Sequence, residues 1–155
     1  MKLRNLAVRT RMIQAGMTLQ DVFEECIRCS VPGLPFADPA GTIIGRISIR
    51  DVFKRTCIPD YMVKAAHLLG DNIDFVNIPE SHAAQVLAMP AESYVLKNIA
   101  HVSSESPVVK ALAIMEEFGT GYIFLIDAGE YQGVVTRMGI ARRMLESAAA
   151  GRTSA

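Results

Sequence analysis

Apolar residues return at Leu19, Val22, Phe23, Cys26 and Ile27, the spacing of one helical face, and Thr18 with Asp21 supplies a capping-box-like start. This predicts a short amphipathic helix ending near Ser30. The period then changes. Val31-Pro32-Gly33 reads as a turn, and Leu34 to Asp38 is a brief apolar run stopped by an acid, the pattern of a buried strand. A turn at Asp38-Pro39-Ala40-Gly41 leads into the β-branched run Thr42 to Ser48, which pairs with the preceding strand as a hairpin. Asp51-Val52-Phe53-Lys54 opens a second helix.

The same order returns in the second half. Ser106 and Pro107 make an N-cap and first position for a helix carrying Val108, Ala111, Leu112 and Met115 on one face, closed at Gly119 to Gly121. Tyr122 to Asp127 is again an apolar strand ended by aspartate, Ala128-Gly129-Glu130 a turn, Gly133 to Thr136 the returning strand, and Ile140 to Ala149 a closing helix. Val22 falls on Ala111 and Asp38 on Asp127 at an offset of 89 residues; beyond the turn the offset is 88, with Gly45 on Gly133 and Ser48 on Thr136. One residue is lost in the hairpin, where length changes are easily tolerated. Such an internal repeat implies two copies of a half-fold. Each copy has too few helices to cover both faces of its sheet, and pairing the copies solves that problem.

Between the copies, Pro59 to Leu69 reads as a helix with Met62, Ala65, Ala66 and Leu69 on a face and Gly70 as its stop. A connecting segment, Asp71 to Glu80, follows, and Ser81 to Leu87 forms a further short helix. Arg9 to Ile13 and Ile99 to Val102 are the candidate first strands of the two copies. The expected divisions are repeat 1 at 1–57, a helical connection at 58–89, repeat 2 at 90–147, and a flexible tail at 148–155.

Composition narrows the function classes. Half of the 155 residues are apolar, enough for one substantial core or two small ones, and sixteen basic residues balance sixteen acidic ones. Net charge therefore supplies no general attraction to nucleic acid or to anionic membranes. The longest apolar stretches, such as Tyr122 to Ile126, fall far short of the roughly 20 residues of a membrane helix. The amino-terminal residues alternate basic and apolar side chains without the apolar core of a secretory signal, so a cytoplasmic location is expected. Cys26, Cys29 and Cys57 are then reduced thiols. The C-x-x-C at Cys26 lacks the second ligand pair that a structural zinc site requires, and reads as helix packing. His67, His82 and His101 show no metal-ligand spacing.

Leu34-Pro35-Phe36-Ala37-Asp38 followed by Gly45-Arg46-Ile47-Ser48-Ile49-Arg50-Asp51 resembles the signature of a CBS domain: an apolar-Pro-Val-apolar-Asp strand, a turn, then Gly-x-apolar-Ser/Thr-x-x-Asp at a strand-to-helix junction. The second half, Ile123 to Asp127 and Gly133 to Gly139, is similar, departing with Phe124 in place of proline and Gly139 in place of aspartate. The resemblance implies an α/β (α+β) fold of two β-α-β-β-α repeats related by a pseudo-twofold axis, with sheets packed together and helices outside. It also implies a homodimer, an adenosine ligand (AMP, ADP, ATP or S-adenosylmethionine) as regulator, and no catalytic chemistry. No cofactor is required, although magnesium is compatible with a polyphosphate. An unidentified target protein is the expected partner.

The resemblance further implies that Asp51 accepts hydrogen bonds from the ribose hydroxyls, that Ser48 donates to a phosphate or holds the ribose edge, and that Leu34 and Pro35 line the adenine slot. Gly45 admits close approach, and Ile123, Thr136 and Arg137 are the second copy's counterparts. The chemistry agrees independently. A carboxylate is an acceptor-only group suited to a vicinal diol. A serine before a helix start is an anion seat, and Arg50 adds a guanidinium beside it. Because Gly139 has no carboxylate, one competent cleft and one weak or vacant cleft are expected. The residues alone also permit Ser48-x-x-Asp51 to be a simple capping box. The corresponding alternative function is a structural dimerisation module with vestigial clefts. A thiol enzyme using Cys57 or Cys29 is a further rival, without a recognisable partner base.

Overall fold

The computed structural model describes residues 1–58, 60–68, 70 and 80–153. Its helices are α1 (Leu19–Cys29), α2 (Ile49–Thr56), α3 (Asp60–Lys64), α4 (Glu80–Leu87), α5 (Val108–Phe118) and α6 (Arg137–Thr153). Its strands are β1 (Gly33–Ala37), β2 (Ile43–Ser48), β3 (His101–Val102), β4 (Tyr122–Asp127) and β5 (Glu130–Thr136). The α1 start is a complete capping box, with Thr18 accepting from the Asp21 N–H and the Asp21 carboxylate accepting in return. Its end is a left-handed residue, Ser30, as α5 ends at the left-handed Gly119.

The two halves are copies of one design. β1 and β2 pair antiparallel with a bulge between Phe36 and Ala37, and β4 and β5 repeat the pairing with a bulge between Leu125 and Ile126. Ile13 makes a parallel bridge to Phe36, the counterpart of Val102 on Leu125 in β3 and β4. The residues ahead of each copy cross to the other: Val8 exchanges two backbone hydrogen bonds with Val134 of β5, and Leu96 exchanges two with Arg46 of β2. This reciprocal exchange is the signature of a pseudo-twofold axis, and it ties the two small sheets together.

Alternation along β4 explains why the strand is apolar on both faces. Tyr122 and Phe124 pack with Leu34, Phe36 and Ile47 of the other sheet, whereas Ile123 and Leu125 pack beneath α5 with Ala111 and Met115. The first core therefore lies between the sheets, and the second under the helices of repeat 2.

Several elements differ from expectation. The first strands shrink to a single bridge from Ile13 to β1 and to the two residues of β3 on β4, while Val8, just ahead of the first, bridges to β5 of the other copy. The helix expected at 59–69 is only α3 followed by a 3-10 turn at Ala66–Leu68, and Pro59, Leu69 and the connecting residues 71–79 lie outside the described residues. α6 begins three residues before Ile140 and runs through Thr153, beyond the expected end at Ala149 and through most of the segment expected to fray. On α1 the buried face takes in Glu25 and leaves Ile27 exposed. Glu25 is tolerated there because the Arg28 guanidinium and the Arg11 backbone N–H both donate to its carboxylate. Among the described residues no helix is long and apolar enough to cross a membrane.

Candidate functional site

β2 delivers the chain into α2 at Ser48, whose hydroxyl accepts from the Asp51 N–H at 3.1 Å and donates to the Asp51 Oδ2 at 2.6 Å. This is a helix cap, and it consumes the one proton the hydroxyl can donate. Both residues are buried, Ser48 at 3% exposure and Asp51 at 7%. A buried carboxylate needs compensating donors. Two guanidiniums supply them: Arg46 Nη1 stands 3.3 Å from Oδ2 and Arg50 Nη1 3.3 Å from Oδ1.

Arg46 leaves β2 on the same face as Ser48, two residues on, since side chains alternate along a strand. Its guanidinium reaches beyond Asp51. Nη1 also donates to the Tyr122 hydroxyl at 3.1 Å, Nε donates to the Asn98 carbonyl at 2.8 Å, and Nη2 donates to Asn98 Oδ1 at 3.3 Å. One side chain of repeat 1 thereby holds its own helix cap, the first strand of the other hairpin and the segment that enters repeat 2. Burial raises the Tyr122 phenol above its ordinary pKa, and the neighbouring Arg46 opposes that shift.

These groups line a cleft of about 150 Å³ between the repeats, walled also by Pro32 and the Phe118–Gly121 end of α5. Ligand pockets begin at roughly 300 Å³. A whole nucleotide therefore enters only if side chains at the mouth move, and Arg50 is the freest of them, its side chain 77% exposed.

The structure gathers Ser48, Arg50 and Asp51 in that cleft and places the other expected residues elsewhere. Leu34 is fully buried against the inter-sheet core opposite Ile47, and Pro35 is buried behind it, so neither forms the cleft wall; Pro32 does. Gly45 is closed off by the chain itself, since a Cβ there would meet Val95 and the Leu96 carbonyl. Ile123 lies in the core of repeat 2. Thr136 repeats the cap of Ser48, accepting from the Gly139 N–H at 2.9 Å, and Arg137 pairs with Glu116 at 2.9 Å on the surface.

The pseudo-equivalent corner of the second repeat is different in kind. Where the first has Arg46, Arg50, Asp51 and Tyr122, the second has Val134, Met138, Gly139 and Gly33 at the matching places of the hairpins and helix starts. Among the described residues, the side-chain hydrogen bond at these positions is the one Thr136 accepts from the Gly139 N–H.

Sequence reasoning missed Arg46 and Tyr122. Arg46 occupies the unspecified x of the Gly-x-apolar-Ser pattern, and its signal was a charge on an otherwise apolar strand, on the same face as the cap serine. For Tyr122 the signal was a phenol that needs a partner once buried. A larger groove of about 810 Å³ runs between the hairpin turns, with Arg9 and Arg11 exposed along it. It is open to solvent, and its part-buried polar pair, Thr10 and Tyr131, is bonded internally at 2.6 Å.

A family model for the CBS domain matches residues 91–146. The second copy thus matches the CBS-domain family. The match takes in the second copy, and solved structures extend the same fold to both. The chain superposes on a CBS-domain-containing protein from Bacillus anthracis with a TM-score of 0.63 at 17% identity, covering 94% of each chain. Against the CBS domain of a CBS-domain-containing membrane protein from Sphaerobacter thermophilus the TM-score is 0.62 at 20% identity, covering 91% of this chain and 86% of that one. The CBS domain pair of protein MJ0100, solved in complex with 5-methylthioadenosine and S-adenosyl-L-methionine, gives 0.61 at 15% identity over 95% and 98%. At these identities the likeness shows the fold. No curated protein matches the chain in sequence. The two repeats therefore differ: the copy that the family model matches carries Phe124 and Gly139, and the other carries the fuller polar corner.

Proposed function

We propose that this CBS pair is a regulatory module that binds an adenosine nucleotide, AMP, ADP or ATP, in the cleft at Ser48 and Asp51, and that occupancy shifts the balance between arrangements of a homodimer without chemistry of its own. The observation that carries the reading is a buried carboxylate flanked by two guanidiniums at the junction of the repeats, whereas the matching positions of the second repeat, Val134, Met138 and Gly139, carry none of the three. A diol donor and a phosphate acceptor on one ligand match a carboxylate and guanidiniums in one cleft. The MJ0100 pair, solved in complex with two adenosine compounds, is a precedent for such ligands on this fold. A ligand shifts a conformational equilibrium only by its differential affinity for the two states, so the cleft must differ between them. A reducing cytoplasmic setting belongs to the same reading and suits three free thiols.

Calorimetry with AMP, ADP, ATP and S-adenosylmethionine is the test. One site per chain is expected, lost in Asp51→Asn; absence of heat with every ligand overturns the proposal, and two equal sites overturn its asymmetry.

One observation favours the alternative of a structural interaction module. Ser48 and three of the acceptor positions of Asp51 are satisfied within the chain, as a cap and ion pairs alone would require. Thermal shift separates the readings, because a ligand at 100 times its Kd adds about 2.7 kcal/mol of stability.

A further inference from the structure

Arg46 is foreign to the repeat that contains it. At the matching position of the second hairpin stands Val134, with the same reciprocal backbone bonds to a crossing segment, Val8 there and Leu96 here. The strand therefore accepts an aliphatic residue at this point, and the guanidinium is not needed to build it. Yet Arg46 is largely buried, and its donors are directed at four acceptors: Asp51 Oδ2, the Tyr122 hydroxyl, the Asn98 carbonyl and Asn98 Oδ1.

Its effect on ligand choice follows from counting acceptors. A carboxylate offers about four lone-pair positions. Ser48, Arg46 and Arg50 take three of those on Asp51. A ribose diol brings two donors, so it cannot be seated while all three remain. Arg50, its side chain 77% exposed, leaves Oδ1 readily, but a diol that grips both carboxylate oxygens also needs Oδ2, which Ser48 and Arg46 fill; Ser48 is buried with Asp51, so the group that must yield there is Arg46. A neutral nucleoside that displaces Arg46 leaves a largely buried cation without its counter-ion, at the cost attached to any such group. A phosphorylated nucleoside carries a replacement anion, so the guanidinium exchanges carboxylate for phosphate and the diol takes the freed oxygen.

Resting on the nucleotide reading above, we infer that Arg46 is the specificity-determining residue of this cleft: by holding Asp51 it restricts the site to adenosine ligands that bring their own anion, nucleotides rather than neutral nucleosides. The same exchange draws Arg46 off Tyr122 and Asn98, so binding is coupled to the contact between the repeats.

The test is calorimetric titration of AMP, adenosine and S-adenosylmethionine into the wild-type chain and into Arg46→Val, the residue type the second hairpin uses. Charge-assisted hydrogen bonds to a phosphate correspond to a preference for AMP over adenosine of about ten- to hundredfold in the wild type. In Arg46→Val that ratio falls to within about threefold, because Arg50 alone faces the phosphate from an exposed position and adenosine meets a freed Asp51. Arg46→Gln keeps polar contacts to Asn98 and Asp51 without the charge; it reads the same loss of preference should the valine variant fail to fold. An AMP-to-adenosine ratio unchanged in the variants overturns the role of Arg46 while leaving the nucleotide site standing. Absence of binding by all three ligands to every form overturns both.

Discussion

Gly33 and Tyr122 occupy matching positions in the two hairpins, and each is shaped by the other: a Cβ on Gly33 would stand 2.5 Å from the Tyr122 ring Cζ and 2.6 Å from its hydroxyl oxygen. The small residue of one repeat makes room for the large residue of the other across the pseudo-twofold axis. That exchange puts a phenol within reach of Arg46, and with it the polar junction of the cleft.

Gly33→Ala is therefore expected to destabilise the protein by about 1–3 kcal/mol, the cost of overpacking a site whose neighbour is held in place. Combined with Tyr122→Leu, which removes the opposing ring end, the added cost of the alanine falls. A urea-denaturation double-mutant cycle measures the coupling; additive costs would show that the two residues do not constrain each other.

Tyr122→Phe removes one hydrogen bond to Arg46 while keeping the ring in the inter-sheet core. The expected loss is about 0.5–1.5 kcal/mol, since Arg46 retains Asp51 and Asn98. A loss above about 3 kcal/mol would mean that the phenol does more than this single bond.

The two helix caps are unequal. Thr136→Ala removes an acceptor for one backbone N–H in a half-buried setting, at a cost of about 1 kcal/mol. Ser48→Ala removes the same kind of acceptor and also a donor to the buried Asp51 carboxylate, so it is expected to cost about 2 kcal/mol or more. Equal midpoint shifts in denaturant for the two variants would contradict this ordering.

Acid should weaken repeat 1 through Glu25, which is only 4% exposed. The Arg28 guanidinium beside it, aided by the Arg11 backbone N–H, outweighs burial and holds its carboxyl below the ordinary glutamate value. A depressed folded-state pKa contributes stability that is present above about pH 4.3, the unfolded value, and is lost as pH falls through the folded one. Glu25→Gln is thus less stable than wild type at pH 7, with the gap closing below about pH 4. Circular dichroism across an acid titration reads it; a pH-independent gap would assign the effect to packing alone.

Native alkylation at pH 8 should spare Cys26. The residue is 2% exposed, and burial, followed by its neighbours Cys29 and Glu25, pushes its thiol up to about 12. Mass spectrometry should find at most two labels per chain under native conditions and three in denaturant. Labelling of Cys26 at the rate of the half-buried Cys57 would mean that repeat 1 opens readily.

Sequence alone determined the periodic elements and their duplication. The spacing of Leu19, Val22 and Cys26, the capping pair Thr18 and Asp21, and the strand-turn-strand runs ending at Asp38 and Asp127 are local signals, and local hydrogen bonding and side-chain periodicity realise them directly. The one-residue difference between the hairpins was legible for the same reason. So was the Ser48–Asp51 corner, because a cap is built within four residues.

Only the tertiary structure decided which of these residues meet. The stretch ahead of repeat 1 divides between two sheets, Ile13 bridging to Phe36 of its own repeat and Val8 to Val134 of the other, a pairing between positions more than a hundred residues apart. Leu34 and Ile123 turned inward because both faces of their strands are covered, which a short apolar run does not reveal. Arg46, Asp51 and Tyr122 come from two repeats, and no spacing along the chain encodes their contact. The meeting of Arg46 with Tyr122 is a consequence of the pseudo-twofold packing, since a hydrogen bond between residues 76 positions apart can form only after both sheets have closed on their shared core.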